Sequence, residues 1–281
     1  MVNSVNATHR PRWSCVVVAS AVALTAASLV GPVGPAHAAD PITAADQPYF
    51  TYYHLDQARA KGYTGSGVTI AMIDGQVDTS IPELNGATIT SKPQCTIHSS
   101  PDVTSHGTGT AAILISPTYG VAPGAALLTY QATFGANGDT GDSDCRDASG
   151  ARRDSYPWLL NSAMNDGAQI INVSASSPNE YNELKWVAAR AMKQGVIIVA
   201  AAGNDARNDD ATSLSLWSGV VGVSAISLDG ARQDYSFWGQ GVTTSAIGGP
   251  VTERNVATGG QDTVQGTSVS APIVAGTLAL A

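Results

Sequence analysis

Basic residues and cysteine are scarce in this chain. Only 14 of 281 residues are Lys or Arg, against 22 Asp or Glu, which gives a formal net charge of −8 with no basic cluster. That balance excludes the electrostatic footprint of a nucleic-acid binder, so no nucleic-acid partner is expected. HExxH, paired CxxC and Walker-loop spacings are all missing, and with them the usual signs of a catalytic metal or a bound nucleotide. No cofactor is expected and no metal ligands are assigned. Long apolar runs are missing too, apart from 15–30. That run is short of the roughly 20 residues a membrane-crossing helix needs, and Gly31-Pro32 breaks it. Membrane attachment is therefore expected only if an anchor follows beyond residue 281.

What is present begins with a processing segment. His9, Arg10 and Arg12 form a basic start, 15–30 an apolar stretch, and Ala36-His37-Ala38 a small-residue cleavage site. Residues 1–38 thus read as a signal peptide, and the protein as secreted, extracellular or associated with the cell envelope. Removing 38 of the 281 residues leaves 243, with Arg10 and Arg12 the only charges lost. This length suits one α/β domain and leaves no room for a second. Cys15 lies in the removed segment without a lipobox-like context, which leaves Cys95 and Cys145. In an exported chain the simplest reading of such a pair is one disulfide, the alternative being two unrelated thiols.

Apolar runs predict strands over 68–73, 127–132, 169–174, 196–202, 220–226 and 242–247. Periodic stretches predict helices over 52–61, 111–115, 156–165 and 181–194, the last with Leu184, Val187, Ala188 and Ala191 on one stripe. Strands alternating with helices imply a mainly parallel sheet covered on both faces. The expected organisation is a signal peptide, an N-terminal extension with its first helix over 39–66, and one domain over 67–281.

The chemistry-bearing residues sit at the ends of these elements. Gly266-Thr267-Ser268-Val269-Ser270-Ala271-Pro272 places a serine between a tight turn and an apolar helical run. A helix start aims free N–H groups and partial positive charge at an oxyanion formed there. Asp74-Gly75 follows the 68–73 strand at its C-terminal end, where α/β sheets usually carry their sites. Ser105-His106-Gly107-Thr108 opens the 111–115 helix, and Val196 to Asn204 is a buried strand ending in Gly203-Asn204.

Taken in order, Asp74-Gly75-Gln76, His106-Gly107-Thr108, Gly203-Asn204 and Gly266 to Pro272 resemble the active-site blocks of subtilisin-like serine peptidases, whose chain order is Asp, His, Ser. The resemblance implies a three-layer subtilisin-like fold and a serine endopeptidase acting on proteins or peptides. Asp74, His106 and Ser268 would form the triad, and Asn204 with the Ser268 N–H the oxyanion hole. Ser174, Ala175 and Ser176 stand where the family pairs with substrate backbone, and Ala202 and Gly203 are assigned to the same substrate-binding wall. The layout of signal peptide, short extension and catalytic domain resembles the mycosin branch of the family.

Several departures and competitors stand beside this reading. The family block reads Asp-Thr-Gly or Asp-Ser-Gly where this chain has Asp-Gly-Gln, a change expected to perturb the hydrogen bonding of Asp74. Asp78 competes for the acid role but more naturally organises the turn before Pro82. Ser270 competes with Ser268 but is offset by two helical positions. No pro-domain of several tens of residues is recognised, the 114–121 connection is short for the family's calcium loop, and the stop at Ala281 implies that family core elements are missing. The acidic residues Asp139, Asp142, Asp144 and Asp147 lack an EF-hand register and read as a solvated loop. Asn172-Val173-Ser174 matches a glycosylation pattern inside a buried strand and is not expected to be modified. The alternative function is a catalytically impaired binding or secretion-associated component. A third class, a nucleotide-binding oxidoreductase, rests on a weak GxGxxA match at 107–112 that no strand precedes.

Overall fold

Strands and helices alternate along the chain as the apolar pattern requires. The computed structural model describes residues 40–133, 140–175, 181–208 and 214–281. The signal segment, Asp139 and Ser176 lie outside them. In chain order the helices and strands are α1 (Pro48–Tyr52), α2 (Leu55–Ala60), β1 (Thr69–Asp74), β2 (Ile89–Ser91), β3 (Ile97–His98), α3 (Pro101–Ile115), β4 (Ala126–Gln131), β5 (Thr140–Gly141), α4 (Tyr156–Asn165), β6 (Ile170–Val173), α5 (Tyr181–Gln194), β7 (Ile197–Ala201), β8 (Val220–Ile226), β9 (Thr244–Ile247), β10 (Val251–Arg254), β11 (Gln261–Val264) and α6 (Thr267–Ala279).

Seven strands form one parallel sheet in the order β2-β4-β1-β6-β7-β8-β9. Central β1 pairs with β4 on one side and β6 on the other, with Ile73 in register with Tyr130 and Val173. Its residues from Ile70 to Asp74 are all buried, which is why the run is apolar without alternation. Ile70, Met72, Ile170 and Val199 point to one face, packed with residues of α3 and α6. Ala71, Ile73, Ile171 and Ile198 point to the other, packed with α4 and α5. The result is a three-layer α/β architecture.

Two expectations need correction. The 52–61 helix is shortened to α2, because His54 takes a left-handed conformation that separates it from α1, which ends at Tyr52. The 111–115 helix starts at Pro101, with the Ser100 side chain accepting from Val103 N–H as its cap, so His106 lies in the second turn rather than at the opening. The antiparallel ribbon β10-β11 was not expected at all.

The Cys95–Cys145 disulfide is formed. It closes beside the short ribbon in which Ile97 pairs with Gly141. Nearby carboxylates hold turns: Asp144 accepts from Thr96 N–H, and Asp147 from Ser149 and Ala151 N–H.

Candidate active site

Asp74 ends β1 and is completely buried. Its Oδ1 accepts from the Gly75 N–H at 2.6 Å and faces His106 Nδ1 at 2.7 Å. An ionised carboxylate only accepts, so Nδ1 carries the proton and Nε2 is left as the basic nitrogen of the neutral ring. Asp74 Oδ2, also buried, meets no donor among the described residues. Asp78 instead holds its own turn, its Oδ1 accepting from Ser80 N–H and Oγ–H at 2.9 and 2.6 Å.

Two glycines bring this pair together. A Cβ on Gly107 would lie 2.6 Å from the carbonyl oxygens of Gly75 and Gln76, and one on Gly75 would collide with the Val103 carbonyl. Helix α3 therefore rests directly on the turn after β1. A serine or threonine at position 75 has no space in this packing.

The second group of residues lies at the start of α6. Thr267 donates its N–H and its hydroxyl to Asn204 Oδ1 at 2.8 and 3.0 Å, while its Oγ1 accepts from Gly203 N–H at 3.1 Å. A backbone N–H can only donate, so the amide orientation is fixed with Oδ1 towards Thr267. Nδ2 is then free to serve the neighbouring space. A Cβ built on Gly266 would lie 2.9 Å from Ser268 Oγ, 3.3 Å from Asn204 Nδ2 and 3.6 Å from Ser268 N. The candidate nucleophile and both candidate oxyanion donors thus surround one point. Ser270 is turned away, fully buried and donating to the Ala246 carbonyl at 3.0 Å. The Asp74–His106 pair and the Asn204–Ser268 group are carried to one face of the sheet by α3 and α6, which pack there.

Around them, Ser174 Oγ accepts from Asn172 Nδ2 at 2.9 Å, and Asn172 is completely buried. Ala175 is buried. Ala202 N–H donates to the Val223 carbonyl, and Gly203, at φ 123°, has the Phe237 ring 2.8 Å from its Cβ position.

Sequence reasoning missed Glu253. It lies on β10 with its carboxyl group against Gly109, one turn after His106 on α3. Burial lowers the His106 pKa, but the charge and hydrogen bond of Asp74 and the charge of Glu253 outweigh it, and the net shift is upward. Glu253 is pushed up to about 7, chiefly by burial, with His106 opposing the rise and Asp262 and Asp74 adding to it. The available signal was a pair of oddities, a charge in the middle of a short strand and a glycine within a helix.

Comparison with known proteins gives a consistent picture. The model of the Subtilase family (Peptidase_S8) matches residues 65–281. Subtilisin E of Bacillus subtilis (strain 168) is 29% identical over 244 residues, a stretch that covers 81% of this chain and 60% of that protein. The chain thus spans less than two thirds of that relative's length. A subtilisin of Bacillus pumilus is 29% identical over 244 residues, covering 81% of this chain and 83% of the relative. Among solved structures, the prenylagaramide maturation protease PagA superposes with a TM-score of 0.64 at 26% identity, covering 80% of this chain and 78% of the other.

Proposed function

Since the chain belongs to the subtilase family, we propose that it is an exported serine endopeptidase that cuts peptide bonds through an acyl-enzyme on Ser268. In this reading Ser268 Oγ attacks the scissile carbonyl as His106 Nε2 takes its proton. Asp74 holds the Nδ1–H side and stabilises the imidazolium that forms. The developing oxyanion receives Asn204 Nδ2 and the Ser268 N–H at the first turn of α6, where the helix dipole adds to both. His106 then hands the proton to the leaving amine, and water releases the acyl group by the same steps in reverse.

The observation that carries the proposal is the Asn204 amide, clamped through Oδ1 by Thr267 so that Nδ2 shares one space with Ser268 Oγ and N. A donor held in this way costs no reorganisation during the reaction, which is the basis of oxyanion stabilisation. A protein or peptide substrate would add as a strand beside residues 174–176, with Ala202 and Gly203 walling its side-chain pocket. Export is inferred from the composition of residues 1–38.

Fluorophosphonate labelling of the purified protein, with the adduct located by mass spectrometry, tests the mechanism. The expected result is an adduct on Ser268 that is lost in His106→Ala. A folded protein that takes no label would instead favour the impaired binding component.

A further inference from the structure

The carboxyl group of Glu253 has no role in the reaction as written, yet it is built into the wall of the site. In the β10-β11 ribbon Val251 and Glu253 share a face by strand alternation, and Val251 is packed into the core cluster that includes α3. The side chain reaches the helix at Gly109, where a Cβ would collide with the carboxyl oxygen and lie 3.1 Å from Glu253 Cδ. Gly109 has an ordinary helical backbone, and glycine at such a position costs about 1 kcal/mol relative to alanine. Its place in α3 is explained by the room it leaves for this carboxyl group. His106 is three residues earlier on the same helix, so its side chain is the neighbour of that space, roughly 5–6 Å away between Cβ positions. The loop after β10 is tied to the same turn, with Val256 N–H donating to Ser105 Oγ at 3.1 Å.

We propose that Glu253 is a positioning residue for the reaction, a second carboxylate that, when ionised, favours protonated His106 and so supports proton transfer from Ser268. This rests on the endopeptidase reading for its catalytic consequence, although the coupling between the two side chains does not. The groups acting on Glu253 are His106 from α3, which favours its charge, and Asp262 directly opposite on β11 and Asp74 on β1, which oppose it. The neighbouring Arg254 is committed to Glu83. No hydrogen bond holds the Glu253 carboxyl group among the described residues, so its influence on the imidazole is through charge. Asp74 engages the ring through Oδ1 alone, with Oδ2 unpartnered, and a nearby second negative charge adds to the stabilisation that this single contact gives the imidazolium.

The test is an NMR titration of the His106 imidazole in the whole protein, in Glu253→Gln and in Gly109→Ala, whose methyl occupies the place of the carboxyl group. Two nearby groups titrating in one range give two macroscopic steps. Unaltered protein is therefore expected to show a two-step curve. Glu253→Gln, which removes the negative charge, should show a His106 pKa lower by about half a unit or more, and Gly109→Ala, which displaces the charge, a shift in the same direction. The acid limb of kcat/KM should move to lower pH by the same amount. A structural role alone would move stability without moving this titration. A His106 pKa unchanged in both variants overturns the proposal. Should neither variant fold, the Glu253 side-chain carbon in unaltered protein decides: titration near neutrality supports the coupling, and titration in the ordinary carboxylate range overturns it. Absence of hydrolysis with the coupling intact would count against the endopeptidase reading alone.

Discussion

Gly266 has φ 163°, extended backbone that any residue adopts, yet a side chain there would fill the space between Ser268 and Asn204. Gly266→Ala is accordingly expected to fold normally, with an unchanged thermal midpoint, and to lose at least about 100-fold in kcat. Asn204→Ala is expected to lose about 100- to 1000-fold in kcat with little change in KM, the usual result of removing one oxyanion donor. Steady-state kinetics on a peptide substrate checks both. At this scale the sequence was informative wherever a residue acts with its chain neighbours. Ser268 is read from the turn and helix around it, and Asp74 from the strand before it. Glu253 was not legible, because its partners Gly109 and His106 are distant in sequence and only folding sets the ribbon against α3. The close seating of α3 on the turn after β1, which Gly75 and Gly107 permit, was not legible either.

Among the elements, the central strands were legible because burial on both faces leaves runs of Ile, Val and Ala that little else explains. The ribbon β10-β11 escaped because its strands are short and polar, with Gln261, Asp262 and Thr263 all exposed. The early start of α3 was misjudged for a related reason. Its first turns are Pro, Asp, Val, Thr and Ser, which carry little periodicity, although Ser100-Pro101 is a recognisable cap and first-turn pair. The β3-β5 ribbon is equally short, and the bond between Cys95 and Cys145, with a sequence separation of 50, holds its ends together. Closing a loop of that length restricts the unfolded chain by about 4 kcal/mol in the chain-entropy account. The double substitution Cys95→Ser/Cys145→Ser is expected to lower unfolding free energy by up to that amount in a denaturant titration.

At the scale of the whole molecule, the alternation of elements was enough to predict a parallel three-layer architecture, but not how the first twenty described residues are fastened to it. Two arginines take part in this. Arg59 on α2 donates to the carbonyls of Pro117, Thr118 and Gly120 in the connection after α3. Arg254 on β10 donates to both carboxylate oxygens of Glu83, to the Gly259 carbonyl at 2.9 Å and to the Asp40 carbonyl at 3.0 Å, while Glu83 Oε1 accepts from Ile42 N–H at 3.1 Å. The charged groups of this last pair are buried, and removing one member strands the other. Arg254→Ala is expected to destabilise the fold by about 3–5 kcal/mol, measurable by urea unfolding. Glu83 and Arg254 thus close over backbone atoms of Asp40 and Ile42. For an exopeptidase digesting inward from the front of the chain, the energetic cost of each residue removed would rise abruptly between these two positions. In surroundings rich in peptidases, erosion would stop there and leave a population of molecules with one uniform front end.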